Sequence, residues 1–285
     1  CIIVSNRHQK PFCPFYIIVS WAFDLLVDRL CATLNSMCVK TEIETNLARV
    51  GDRIMAAAQR AERKPDEIAL VAVTKTHPVH TVKAAYSAGI RDFGENRVEE
   101  ASAKIPTILK AAEVPKPPRW HMIGHLQRRK ARTAVALFDL IHSVDTVRLA
   151  RRINLFAEES GKVMQMLLEV NVSGETSKHG FNLSPEGGEM ARDAFIADVE
   201  QILELPFVQP CGLMTMAPIV SDPEQARPVF VGLRRLREDM RRRFPEVDWR
   251  ELSMGMTDDF EVAIEEGATM VRIGRAIFGQ RGQIR

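Results

Sequence analysis

Short apolar runs alternate with longer amphipathic stretches along most of this chain, and the alternation sets in after Pro65. The apolar runs fall at 68–74, 91–94, 119–123, 139–144, 163–172, 207–215, 250–254 and 269–273. Each is short for a helix and is bounded by turn residues, so each predicts a strand buried on both faces. Between them, 79–88, 96–112, 126–137, 146–159, 185–204, 223–243 and 258–266 repeat apolar residues at helical spacing. Strand followed by helix, over and over, predicts a parallel sheet. Eight strands fit an α/β chain closed into a (β/α)8 TIM barrel better than a doubly wound sheet, since no Gly-x-Gly-x-x-Gly follows the first strand. Ahead of the barrel, 41–63 places Ile43, Leu47, Val50, Ile54 and Ala58 on one face, an extra N-terminal helix ending at Pro65.

The first 40 residues break the pattern. They open on Cys1, include Pro11 and Pro14, and carry one apolar stretch, 15–23, cut off by Asp24 and Asp28. That stretch is too short to cross a bilayer and lacks the form of a secretory signal. The expected division is therefore a poorly ordered extension over 1–40 and a single barrel domain over 41–285. A content of 46% hydrophobic residues in 285 suffices for a sizeable core. A net charge of +2 gives no field that calls for nucleic acid or a membrane surface. The arginine-rich 234–243 also carries acids and reads as the outer face of a helix. Four of the five cysteines precede residue 40, which is no disulfide framework and fits a reducing cytoplasm.

All strands of such a barrel end at one rim, so polar residues that close different strands converge there. Lys75 closes the first strand, after Val71 and Val73, where partial desolvation favours a neutral, nucleophilic amine. Gly255 and Gly274 follow the last two strands, the usual phosphate position of barrels, with the Ser253 hydroxyl and the Arg275 N–H as donors. A lysine opposite a phosphate cradle suggests pyridoxal 5'-phosphate (PLP) held as an internal aldimine on Lys75. Arg272 would then face the far end of the ring, where a guanidinium keeps a pyridine nitrogen unprotonated and depresses the lysine pKa. His121 and His125 stand four apart, but the intervening Gly124 breaks helical register and the pair is short of a zinc ligand set. The acids Asp258, Asp259, Glu261, Glu265 and Glu266 read as a solvated helix start.

Seven segments then carry a resemblance: LVAVTKT (70–76), FGENRVEE (93–100), WHMIGHLQRRK (120–130), HSVDT (142–146), VNVSGETSKHGF (170–181), GLMTM (212–216) and 251–279. Over about residues 43–280 the chain resembles the YggS/PROSC family of pyridoxal phosphate homeostasis proteins, whose barrel is of the alanine racemase N-terminal type. The resemblance implies that Lys75 forms the aldimine, that Asn96 lies near the ring, that Ser253, Gly274 and Arg275 hold phosphate, and that Arg272 faces the pyridine nitrogen. Arg275 stands where many members have Ser or Thr, which removes a hydroxyl donor, and Thr257 stands where Ser is usual.

Racemisation needs a second base opposite the lysine. The only tyrosines, Tyr16 and Tyr86, close no strand, and only six residues follow Gly279, which predicts an open mouth. The expectation is thus a monomeric carrier that buffers PLP or supplies it to apo-enzymes rather than a catalyst. Two alternatives stay open: a weak PLP-dependent racemase or decarboxylase acting on amino acids, and a Schiff-base aldolase without PLP.

Overall fold

A computed structural model describes residues 39–111, 116–175, 178–183 and 187–279. Nearly all of the expected extension, and part of the proline-rich link at 113–118, lie outside these residues. The first helix, α1, covers 39–60 of the described residues, and its Val39 is buried. The expected stripe is buried: Ile43, Val50, Ile54 and Ala58 all lie in the core, and Leu47 packs against it.

After α1 come β1 (Ala69–Val73), α2 (Val79–Ser87), β2 (Asp92–Glu95), α3 (Val98–Ala111), β3 (Arg119–Met122), α4 (Ala131–Leu137), β4 (Leu140–Val144), α5 (Val147–Glu159) and β5 (Met164–Asn171). The chain continues through β6 (Phe181–Asn182), α6 (Gly188–Leu203), β7 (Val208–Met214), α7 (Arg227–Arg243), β8 (Glu251–Ser253), α8 (Phe260–Glu265), β9 (Met270–Ile273) and α9 (Arg275–Phe278). Neighbouring strands run β4-β3-β2-β1-β9-β8-β7-β5, every pairing is parallel, and β4 also pairs with β5. Eight strands therefore close on themselves. Among the described residues, the two-residue β6 pairs only with β5 and stands outside the ring.

Closure divides the apolar residues into two sets. Val71, Leu140, Leu167, Cys211, Met214 and Met270 form a small cluster in the lumen, while the larger cluster fills the layer between strands and helices. Side chains alternate along each strand, so a residue two positions from a lumen member shares its face. The helix α1 docks on the last elements of the barrel. Asn46 Nδ2 donates to Ile277 O at 3.0 Å, Arg53 pairs with Glu261 at 3.1 Å, and Arg63 Nη1 donates to the carbonyls of Ile264 and Ala268. No described helix is long and apolar enough to cross a membrane.

Candidate functional site

Lys75 follows β1 with the parity of Val71, which lies in the lumen cluster, whereas Ala72 belongs to the outer layer. The half-buried Lys75 thus leaves the strand toward the mouth. The peptide groups on both sides of it are gripped from α3. Lys104 Nζ donates to Thr74 O at 2.7 Å, and Glu100 Oε1 accepts from Thr76 N at 2.5 Å. Lys104 also donates to Glu95 Oε1 at 2.9 Å and to Glu100 Oε1 at 2.5 Å, so its three ammonium protons are all engaged. Thr74 Oγ1 donates to the same Glu95 oxygen at 2.7 Å. Burial pushes the Glu95 carboxyl above its ordinary pKa, against the pull of Thr74 and Lys104. Thr76 sits at φ 68°, a left-handed conformation that costs a threonine energy and that the Glu100 bond holds in place.

The seven residues expected at the site fall on four adjacent strand ends in the order β2, β1, β9, β8. Asn96 follows β2, and its Oδ1 is buried with no hydrogen-bond partner. A Cβ at Gly124 would lie 2.3 Å from Asn96 O, so glycine is what allows the loop after β3 to press against Asn96. Gly274 lies on the other side of β1, its ideal Cβ position 3.3 Å from Val73 O, and His77 packs its ring on Phe278 of α9 at 4.8 Å. Gly255 has φ +90°, and its carbonyl accepts from Arg272 N at 3.0 Å, which ties the turn after β8 to β9. The Arg275 side chain turns outward to an exposed ion pair with Asp258, so only its backbone faces the turn.

Ser253 finds its hydrogen-bond partners in the lumen. It is fully buried; Arg272 Nη1 donates to its Oγ at 2.6 Å, and His142 Nδ1 lies 2.9 Å from the same oxygen. From there His142 Nε2 meets His121 Nδ1 at 2.9 Å, and His121 Nε2 meets Asp92 Oδ1 at 2.9 Å. Arg272 can only donate and an ionised Asp92 can only accept. With both rings neutral, one polarity satisfies the whole chain: Ser253 donates to His142, and each histidine carries its proton on Nε2. The Ser253 hydroxyl is engaged in this lumen chain. Burial, together with the nearby guanidinium of Arg272, drives the His142 pKa well below the histidine norm, consistent with a neutral ring.

Arg272 is held at both ends of its guanidinium, with Nη2 donating to Thr215 O at 2.9 Å. Burial lowers its pKa to about 10, opposed by Asp259 and Glu169, so it stays charged at neutral pH. Glu169 of β5, which sequence reasoning passed over, is 2% exposed, and its Oε2 has no partner. Burial, reinforced by Asp145 and opposed by Arg272, raises its pKa to about 7. Its signal was a single acid inside the run MLLEVN, and His121 and His142 lie in apolar runs in the same way. His121 and His125 diverge: the first is in the lumen, while the second pairs with Asp145 at 3.3 Å. Tyr86 lies on the outer helix α2, its hydroxyl on Lys116 O, away from the mouth.

The profile of the alanine racemase N-terminal domain family matches residues 45–282. The pyridoxal phosphate homeostasis protein of Aquifex aeolicus is 42% identical over 235 residues, covering 82% of this chain and 96% of its own length. That of Escherichia coli K12 is 40% identical over 244 residues, covering 84% and 97%. Among solved structures, PLP-bound PipY of Synechococcus elongatus PCC7942 superposes with a TM-score of 0.69 at 34% identity, over 83% of this chain and all (100%) of PipY. An alanine racemase of Clostridium difficile 630 shares the fold alone, at 13% identity and a TM-score of 0.63, over 85% of this chain and 58% of the racemase. By profile, by relatives and by the barrel itself, the chain belongs to the pyridoxal phosphate homeostasis protein family, a branch of the alanine racemase N-terminal domain class.

Proposed function

We propose that this chain binds PLP at the barrel mouth, with Lys75 as its covalent anchor, and serves intracellular PLP homeostasis by buffering the cofactor or supplying it. The observation that carries the reading is the doubly clamped Lys75 between Asn96 and the Gly274 turn, in a family whose member PipY is described with PLP bound. When bound, the group brings an aldehyde that condenses with amines and a phosphate that needs an anion site. Asn96 Oδ1, buried without a donor, suits the polar edge of such a ring. The backbone at Gly255, Gly274 and Arg275 would hold the phosphate, since α9 has no side-chain cap on its first turn. Arg272, charged and immobilised, would meet the ring nitrogen and keep it unprotonated, which weakens the electron sink that catalysis requires. Ser253 would fix Arg272 rather than touch phosphate.

The partners consistent with this role are amino acids and apo-enzymes that accept PLP, with the protein acting as a monomer in the cytoplasm. A second reading, weak racemisation or decarboxylation, draws on Glu169, whose orphaned oxygen and pKa of about 7 suit proton transfer in the lumen. Purified protein should be yellow, Lys75→Ala colourless, and borohydride reduction followed by peptide mapping should find a pyridoxyl adduct on Lys75. Absence of that adduct refutes the binding mode. Exchange of the α-hydrogen of an added amino acid for deuterium would move the protein to the enzymatic reading, and a protein that stays colourless with added PLP would favour an aldolase.

A further inference from the structure

We propose that His125, Asp145 and His179 form a binding site for a divalent transition-metal cation of the zinc class on the rim of the barrel mouth. The three residues follow three consecutive barrel strands, β3, β4 and β5, which pair with one another in that order, so the fold rather than sequence proximity brings them together. One donor atom from each lies within 4.8 Å of the other two. His125 Nδ1 and Asp145 Oδ2 are 3.3 Å apart. Ligands at about 2.0–2.1 Å around a tetrahedral zinc ion stand about 3.4 Å from one another, so this pair already spans one edge of the polyhedron. The His179 ring stacks on His125 with centroids 4.0 Å apart and planes 17° from parallel. An ordinary histidine and aspartate ion pair explains the first contact but gives no reason for a second imidazole against it.

The backbone that carries these ligands is held. Ser143 Oγ donates to Gly124 O at 2.6 Å, beside His125, and Lys178 Nζ donates to Met216 O at 2.9 Å, beside His179. Three protein ligands leave a fourth position open, the arrangement of zinc sites that exchange a ligand. Two of the three ligands, His125 and Asp145, line a cavity of about 600 Å³ that also presents Arg128, Arg129 and Arg148. Those guanidinium groups weaken the hold on a bare cation and favour one that carries water or an oxyanion. The site uses none of the residues assigned to PLP, so it stands whether or not that reading holds.

The test is equilibrium dialysis of the full chain against Zn²⁺, with thiols alkylated so that the cysteines before residue 40 do not compete. One zinc per chain is expected, with zinc K-edge absorption showing nitrogen and oxygen neighbours. His125→Ala and His179→Ala should each weaken binding by more than about tenfold, since even outer-shell changes cost that much. Both variants should keep the wild-type circular dichroism spectrum, and Lys75→Ala should retain the metal. No zinc bound at micromolar free concentration, or undiminished affinity in the His125→Ala/His179→Ala double variant, would overturn the proposal.

Discussion

Replacing Lys104 by methionine removes the centre of the clamp behind Lys75. The Lys104 side chain is 8% exposed, Glu95 is 0% and Glu100 is 23%, so the change strands one wholly buried carboxylate and one largely buried one. Breaking a buried ion pair from one side costs about 3–5 kcal/mol, because the charge left behind has neither water nor partner. Against a total stability of about 5–15 kcal/mol that is a large share. Here the loss also frees Thr74 O, and the Glu100 carboxylate that fixes Thr76 N loses its cation. Urea denaturation followed by both circular dichroism and tryptophan fluorescence should show the midpoint of Lys104→Met moved down by that energy. Removing the stranded charge as well, in Lys104→Met/Glu95→Gln, should recover a substantial part of it, giving a double-mutant cycle with strong coupling. A single variant that loses less than about 1 kcal/mol, or a double variant whose loss is the sum of the two singles, would refute the clamp as an energetic unit. If the clamp positions Lys75, loading of PLP by the folded Lys104→Met protein at low temperature should also fall.

Glu169→Gln tests the lumen acid. With a folded pKa of about 7 against an ordinary 4.5, the folded state holds a proton that the unfolded state has released, so stability falls as pH rises from 4.5 to 7 and levels off above. Integrated over that window the effect is about 3 kcal/mol, and the glutamine variant should lack it, matching wild type near pH 4.5 and exceeding it at pH 8. Equal pH profiles would dismiss the buried acid. Asp92→Asn removes the anion that ends the lumen chain, and should cost about 1–3 kcal/mol. Nitrogen-15 spectra of histidine-labelled wild-type protein read the tautomers directly; a proton on Nδ1 of either ring would contradict the assigned polarity.

The barrel was legible because each strand is covered on both faces and therefore shows as an apolar run, a signal that survives without any partner sequence. Elements too short to complete a period were not: β6 has two residues and α9 has four. Helix starts were blurred for a related reason. At 223–226 Pro223 opens a tight 3-10 turn before α7, and Arg128–Lys130 does the same ahead of α4, so the regular helix begins later than its periodic pattern. At the site, residues that close strands could be named in advance, since parallel strands must deliver their ends to one rim. Ser253 shows the boundary of that logic. It closes β8 at the right height, but whether its hydroxyl meets an anion or Arg272 depends on which face it takes.

The hidden part of the site obeys a rule that sequence does carry, in weaker form. A lumen position is surrounded by other strands, so a titratable residue there must find its partner across the barrel or remain unpaired. His121 in RWHM, His142 in LIHSV and Glu169 in MLLEVN each interrupt an apolar run with one ionisable group. Two of them meet, and the chain of donors through Ser253 links Arg272 to Asp92 over five residues on five strands. The third, Glu169, is left with an unpartnered oxygen, and that asymmetry is physical information. A lumen that satisfies one polar chain and leaves the Glu169 oxygen open keeps hydrogen-bonding capacity on the β5 side, across from Lys75 and in addition to the unpartnered Asn96 Oδ1, where an incoming amine or the ring edge would have to supply the missing donor.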